Sequence, residues 1–253
     1  MTEFEEERVK KESLELAASL LESGVPGSAQ LIYDGRNKLY VHTLPCGKRV
    51  NIKAFKRQGW FRGMVYALFT RPKSVKSYRN SKKLKALGFR VAEPLAHSEE
   101  RLWGGLRLGR AYYVSEQLEN YHETRNWETW DGAEGLPDKE RLCDALGAEM
   151  TRLYRAGVLF RDFSPGNVLV DSELNFAYVD VNRTDFGVRS RRKMMTMFKR
   201  INIVPAETAR LARAFAKEMG WDVAVTEAEA LEVLRRFLWW KDTFWRTLKN
   251  LIK

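Results

Sequence analysis

Val158-Leu159-Phe160-Arg161-Asp162-Phe163-Ser164-Pro165-Gly166-Asn167-Val168-Leu169-Val170, with Phe176-Ala177-Tyr178-Val179-Asp180 after the turn Asp171-Ser172-Glu173-Leu174-Asn175, is the stretch that decides the fold. Three short apolar runs alternate with a Pro- and Gly-containing loop and a polar turn, which reads as short strands joined by tight connections. The loop carries Asp162 and Asn167, and Asp180 ends the last run, at the tip of a strand. Phosphoryl transfer to a hydroxyl needs a carboxylate that orients the acceptor and takes its proton, and a nearby side-chain oxygen that helps hold magnesium. Asp162 and Asn167 are of those two types. Strand-end carboxylates such as Asp180 are common metal ligands, and Mg2+ takes few protein ligands, so Asn167 and Asp180 suffice for it. Taken alone, the loop reads equally well as an Asx-type turn with Pro and Gly chosen for backbone shape.

Working outward, KERLCDALGAEMTRLYRAG (139–157) has the period of a buried helix with Gly157 at its end, and a mainly helical remainder follows Asp180. The first half differs. Glu5–Leu21 reads as a helix with apolar residues Val9, Leu14, Leu16, Leu20 and Leu21, stopped by Gly24 and Pro26. QLIYDG (30–35), KLYVHTL (38–44) and KRVNIKAF (48–55) read as a three-stranded meander, turning at Gly35-Arg36-Asn37 and Pro45-Cys46-Gly47. Lys53 is an inward-pointing candidate on the third strand. Arg71–Leu87 reads as a helix closed by Gly88, and VAEPLAH, RLWGGLRL and AYYVSEQL supply further strands. The expectation is an α+β chain of two lobes: a helical extension at 1–27, an N-lobe of about five antiparallel strands plus one helix at 28–117, and a mainly helical C-lobe at 118–253.

With 253 residues and 44% apolar content, the chain has material for one large core or two modest ones. Cys46 and Cys143 stand far apart with no CxxC pair, which suits a reducing cytosol. The acidic N-terminal segment is unlike a signal peptide, and no run reaches the ~18 apolar residues of a spanning helix. The expected location is therefore the cytoplasm, with peripheral contact with the inner membrane left open. The net charge of +11 has an address: 54–92 holds eleven Lys and Arg and no acid. That block is either a solvated face or a patch for phosphates, acidic lipid headgroups or nucleic acid, and the lack of a nucleic-acid-binding motif puts nucleic acid last. At the C-terminus, Leu234, Phe237, Leu238, Trp240, Phe244, Trp245, Leu248, Leu251 and Ile252 form an apolar stripe flanked by Arg246, Lys249, Lys253 and other bases. It either docks on the C-lobe or lies on an anionic membrane, and adjacent Trp239 and Trp240 leave at least one ring exposed.

GRNKLYV (35–41), VNIKAFKR (50–57), SVKSYRNSKKLKALGFRVAEPLAH (74–97), AYYVSEQL (111–118), RDFSPGNVLV (161–170) and YVDVNR (178–183) together resemble the lipopolysaccharide kinase (Kdo/WaaP) family of the protein-kinase-like superfamily. The resemblance covers about residues 30 to 205. It implies ATP and Mg2+ as cofactors, with adenine met by a hinge at Glu116, Gln117 and Leu118. Gly35, Arg36 and Asn37 would cover the phosphates, Lys53 would contact them, and Asp162 would address a hydroxyl of an inner-core sugar, Kdo or heptose. An anionic glycolipid or sugar would be the acceptor. The same fold would also serve a kinase of proteins or small alcohols, or a nucleotide-binding scaffold.

Several features depart from the kinase pattern. Kinases pair the strand lysine with a glutamate on the inserted helix, yet the expected positions hold Ser77, Arg79 or Asn80. Phe160 stands where protein kinases usually have His, and the first turn has one glycine. Asp185-Phe186-Gly187 spells the DFG triplet of protein kinases, but those enzymes keep about thirteen residues between the loop Asn and the metal Asp. Counting from Asn167, that spacing selects Asp180. Arg183 and the run Arg189–Lys193 either neutralise an anionic sugar or form a solvated loop, and they stay outside the catalytic set.

Overall fold

The first helix is capped twice over. Thr2 Oγ1 accepts from the Glu5 amide and Glu5 Oε2 accepts from the Thr2 amide, while Glu3, Glu5 and Glu6 complement the positive end of the helix dipole. In this computed structural model, which describes residues 2–124, 138–201 and 204–252, the helix (α1) spans Glu3–Glu22. Val9, Ser13, Leu16, Ala17 and Leu20 form its buried face. Leu14 is exposed, because a step of about 100° per residue carries it off that face. The Ser13 hydroxyl donates back to the Val9 carbonyl at 2.7 Å, so its burial leaves no polar group unsatisfied.

Five antiparallel strands follow: β1 (Gln30–Asp34), β2 (Lys38–Thr43), β3 (Arg49–Phe55) and, after two helices, β4 (Pro94–Leu102) and β5 (Arg107–Glu116). Their order is β1-β2-β3-β5-β4, which puts β3 in the middle. Side chains alternate along β3. Val50 and Ile52 are fully buried in the cluster formed with Val9, Leu16, Leu20 and Val114, so α1 covers this face of the sheet. Lys53 therefore belongs to the opposite face, with Phe55 and its neighbour Tyr113. Because α1 supplies part of this core, Leu20→Ala is expected to cost about 2–5 kcal/mol, read as a lower denaturation midpoint.

The two inserted helices are α2 (Trp60–Leu68) and α3 (Lys73–Ala86). The sequence reading held only the second. Gly63 weakens the helical signal of α2, yet it is what lets the helix seat. A Cβ there would lie 3.0 Å from Arg107 Cγ and 3.2 Å from the Leu108 carbonyl oxygen on β5. Tertiary contact thus selects the residue that local propensity disfavours.

The chain separates into two compact units, one of 1–119 with 180–182 and one of 120–179 with 183–253. The second unit contains β6 (His122–Glu123), α4 (Lys139–Arg155), β7 (Val158–Phe160), β8 (Val168–Val170), β9 (Phe176–Tyr178), β10 (Thr184–Phe186), α5 (Arg191–Met194), α6 (Phe198–Ile201), α7 (Pro205–Met219) and α8 (Val223–Ile252). Two small sheets form, β6-β8-β9 and β7-β10. Leu142, Leu146 and Met150 of α4, Leu211 and Phe215 of α7, and Leu234 of α8 are buried. Gly147 allows α4 and α7 to approach, since a Cβ there would lie 2.6 Å from Ala214 Cβ. Cys143 is buried in α4, and its burial pushes the thiol up to about 12. A thiol reagent applied to the folded chain is expected to label half-buried Cys46 and to reach Cys143 only after denaturation.

On α8, Leu234 is buried while Trp239 and Trp240 are both exposed. The side chains of the remaining aromatic stripe, Phe244, Trp245, Leu248, Leu251 and Ile252, with Arg246, Lys249 and Lys253, lie outside the described residues. Among the described residues no helix is long and apolar enough to cross a membrane.

Candidate active site

In the first unit, the central strand β3 holds Lys53 between Leu39 of β2 and Tyr113 of β5. Its Nζ lies 2.6 Å from Asp180 Oδ1, and the lysine side chain is only 12% exposed. A partly desolvated ion pair of this kind is stronger than a surface pair, and it ties together two residues far apart in sequence. Asp180 has a left-handed backbone, φ 54°, which Asp tolerates better than most residues because its short side chain can bond locally. It does so here: Asn182 Nδ2 donates to Asp180 Oδ1.

α3 supports this segment without an acid. Asn80 Nδ2 donates to the Val181 carbonyl at 2.9 Å, so the helix grips the backbone next to Asp180. Ser77 is buried and its Oγ has no hydrogen-bond partner among the described residues, and Arg79 is exposed. The partner of Lys53 is thus Asp180 itself, and Asn80 holds that partner's loop. The resemblance to kinases leaves Ser77, Arg79 or Asn80 as the place of the missing glutamate, and only the fold reveals what Asn80 does.

In the second unit, the loop after β7 is built by its own side chains. Asn167 Nδ2 donates to the Asp162 carbonyl at 2.9 Å, closing the loop, and the Val179 amide donates to the Asn167 carbonyl at 3.0 Å. Thr124 Oγ1 donates to the Pro165 carbonyl at 3.1 Å. Beneath it Phe160 packs edge to face on Phe163 and Tyr178, with centroids 6.0 Å and 5.8 Å apart, and Phe163 and Tyr178 lie tilted at 6.4 Å. Phe160 fills its position by packing in this aromatic group. The Tyr178 hydroxyl donates to Glu149 Oε1 at 2.7 Å, and Arg152 pairs with the same carboxylate.

Asp162 is clamped by two arginines. Arg183 Nη1 lies 3.0 Å and 3.2 Å from its two carboxylate oxygens, and Arg200 Nη1 lies 2.9 Å from Oδ1. Arg200 comes from α6, 38 residues on, and its guanidinium also lies over Phe237 of α8 at 5.5 Å. Beside it, burial pulls the Lys199 amine below the usual lysine range, and Arg200 and Arg183 push the same way. Asp162 and Arg161 are within electrostatic reach of that amine as well. Arg161 itself pairs with Asp185 at 2.6 Å, so the Asp of the DFG spelling is an ion-pair partner on β10. The sequence reading left Arg183 out and never singled out Arg200. The available signal was a Lys-Arg pair embedded in the apolar run Met197-Phe198-Lys199-Arg200-Ile201.

The expected nucleotide contacts lie in the first unit. Gly35 and Arg36 are exposed at the β1–β2 turn, and the Asn37 side chain accepts from the Lys56 amide at 3.2 Å, tying that turn to the end of β3. Glu116 ends β5, where its carboxylate faces Lys48 and Arg90 at 3.5 Å and 3.4 Å. Gln117 accepts from Asn51 Nδ2 at 3.1 Å and Leu118 is half-buried, just before the unit ends at Glu119.

The model of the lipopolysaccharide kinase (Kdo/WaaP) family matches residues 53–235, from Lys53 through the Asp162 loop to α8. The chain belongs to that family. Its chemistry is accordingly that of a phosphotransferase, and its fold is α+β. Among solved structures, WaaP in complex with acyl carrier protein aligns over 81% of this chain and 88% of that one, with TM-score 0.49 and 15% identity. A MAP kinase, LmaMPK10 from Leishmania major, aligns over 90% of this chain and 66% of that one, with TM-score 0.40 and 14% identity. No curated protein matches the sequence.

Proposed function

We propose that this chain transfers the γ-phosphate of ATP to a hydroxyl of a lipopolysaccharide inner-core sugar, Kdo or heptose. The observation that carries the reading is the Lys53–Asp180 pair, which joins a phosphate-binding cation to a metal-binding carboxylate at 2.6 Å. Lys53 neutralises phosphate charge, and the turn at Gly35, Arg36 and Asn37 covers the phosphates. Glu116 and Leu118 meet the adenine through the backbone. Among the described residues, Asp180 Oδ2 and Asn167 Oδ1 carry no hydrogen-bond donor, so each offers a hard oxygen of the kind Mg2+ takes. The metal, when bound, offsets charge on the phosphate oxygens.

Asp162 orients the acceptor hydroxyl and takes its proton. Arg183, Lys199 and Arg200 give its surroundings more positive charge than one carboxylate balances, which supports an acceptor with a carboxylate or phosphate beside the reacting hydroxyl. Such an acceptor is lipid-linked, which supports work at the inner face of the inner membrane. The reading is tested by ADP formation with Mg2+ and a panel of a Kdo-containing lipid, a heptosylated core, serine peptides and small alcohols. Turnover dependent on a core sugar is expected. Nucleotide binding without turnover on any acceptor would favour a scaffold instead.

A further inference from the structure

We propose that α2 and the β4–β5 turn form a membrane-docking face that takes the surface of a bilayer containing anionic lipids. This inference concerns the first unit alone and holds whatever the acceptor proves to be.

α2 is amphipathic in an unusual sense, since Gly63 seats it on β5 while its outward side is apolar. Phe61 and Leu68 point away from the Gly63 contact and are exposed, and Phe69 at the helix end is 79% exposed. Trp60 and Trp103 extend the surface. Their rings lie 6.4 Å apart, which joins the helix to the β4–β5 turn. Leaving so many large rings in water in one place is costly unless something covers them. The helix has no acidic residue, and Lys56, Arg57 and Arg71 beside it are exposed. Arg107 stacks on Trp103 at 5.3 Å, placing a cation and an indole together. Arg101 Nη1 caps the helix by donating to the Ala67 carbonyl at 3.2 Å, which fixes another cation at the rim.

Charge selects the occupant. Aromatic rings rimmed by cations match the boundary of an anionic bilayer, where Trp and Phe sit at headgroup depth and each basic residue adds attraction. A second copy fits poorly, because a two-fold contact would set this predominantly basic rim, in which Glu100 is the acid within electrostatic reach of Arg57, against itself.

The test is sedimentation of the full chain with phosphatidylcholine vesicles, with and without phosphatidylglycerol. Wild type is expected to bind only the anionic vesicles and to lose binding as salt rises. Phe61→Ser/Phe69→Ser is expected to weaken binding about tenfold or more, and Trp239→Ser/Trp240→Ser on α8 to leave it unchanged. Lys56→Glu/Arg57→Glu removes charge without touching a ring and is expected to weaken binding as well, so the result does not hang on one variant. The proposal is overturned if wild type fails to bind, if the Phe61/Phe69 variant binds like wild type, or if only the α8 variant loses binding. It is also overturned if light scattering finds a dimer that the Phe61/Phe69 variant converts to monomer, which would make a second copy the occupant.

Discussion

Asp180→Asn is expected to lower acceptor-dependent turnover by about 10^3-fold, the scale of losing a charge that acts on the transferring phosphoryl group. The substitution is chosen for its backbone. Asp180 is left-handed, and Asn enters that region nearly as readily, so the loop keeps its shape while the carboxylate charge disappears. Lys53 then faces a neutral amide in place of its partner at 2.6 Å. Lys53→Ala alone is expected to cost about 10^2-fold or more, and the double variant little beyond the worse single one, because the two residues act as a unit. Steady-state kinetics on the three variants checks this. Full additivity would mean that the two residues act independently, and turnover of Asp180→Asn within tenfold of wild type would remove Asp180 from the catalytic set.

The second large effect separates Asp162 from the arginines that hold it. Asp162→Ala is expected to reduce kcat by about 10^2- to 10^4-fold, the range for a positioned general base. Arg200→Ala should act elsewhere. Losing a charge-assisted bond of about 1.5–3 kcal/mol is expected to raise the acceptor KM about tenfold or more while leaving the KM for ATP unchanged. A fall in kcat with no change in acceptor KM would show that Arg200 only positions Asp162. Lys199 adds a pH signature. Its amine is held below the usual lysine range by burial and by the neighbouring arginines, so it loses its proton earlier than an ordinary lysine as pH rises. Acceptor KM should therefore climb on the alkaline side, and Lys199→Arg should flatten that limb, since guanidinium stays charged.

How much of this was legible in the sequence depended on whether the determining interaction is local. The meander of β1 to β3, the helix α3 and the loop from Arg161 to Asn167 are all written in period and turn chemistry, because strands, caps and tight turns are set by neighbours in the chain. The choice of Asp180 over Asp185 came from spacing. The structure places the first against Lys53 and the second against Arg161. α2 escaped because its Gly63 reads as a breaker, and its reason, the close seat on β5, lies more than forty residues away. Leu14 is one of the apolar residues of α1 yet is exposed, because apolar content is local while the buried face is set by the sheet under the helix.

The sequence by itself determined the first meander, the helices α1, α3 and α4, the two halves of different composition and the loop that carries Asp162 and Asn167. Only the tertiary structure decided what surrounds them. Lys53 with Asp180, Asn80 with the Val181 carbonyl, and Arg200 with Asp162 are contacts across 127, 101 and 38 residues. No period or propensity encodes a pair at that separation, since it exists only when a folded core has paid the loop-closure entropy that brings the partners together.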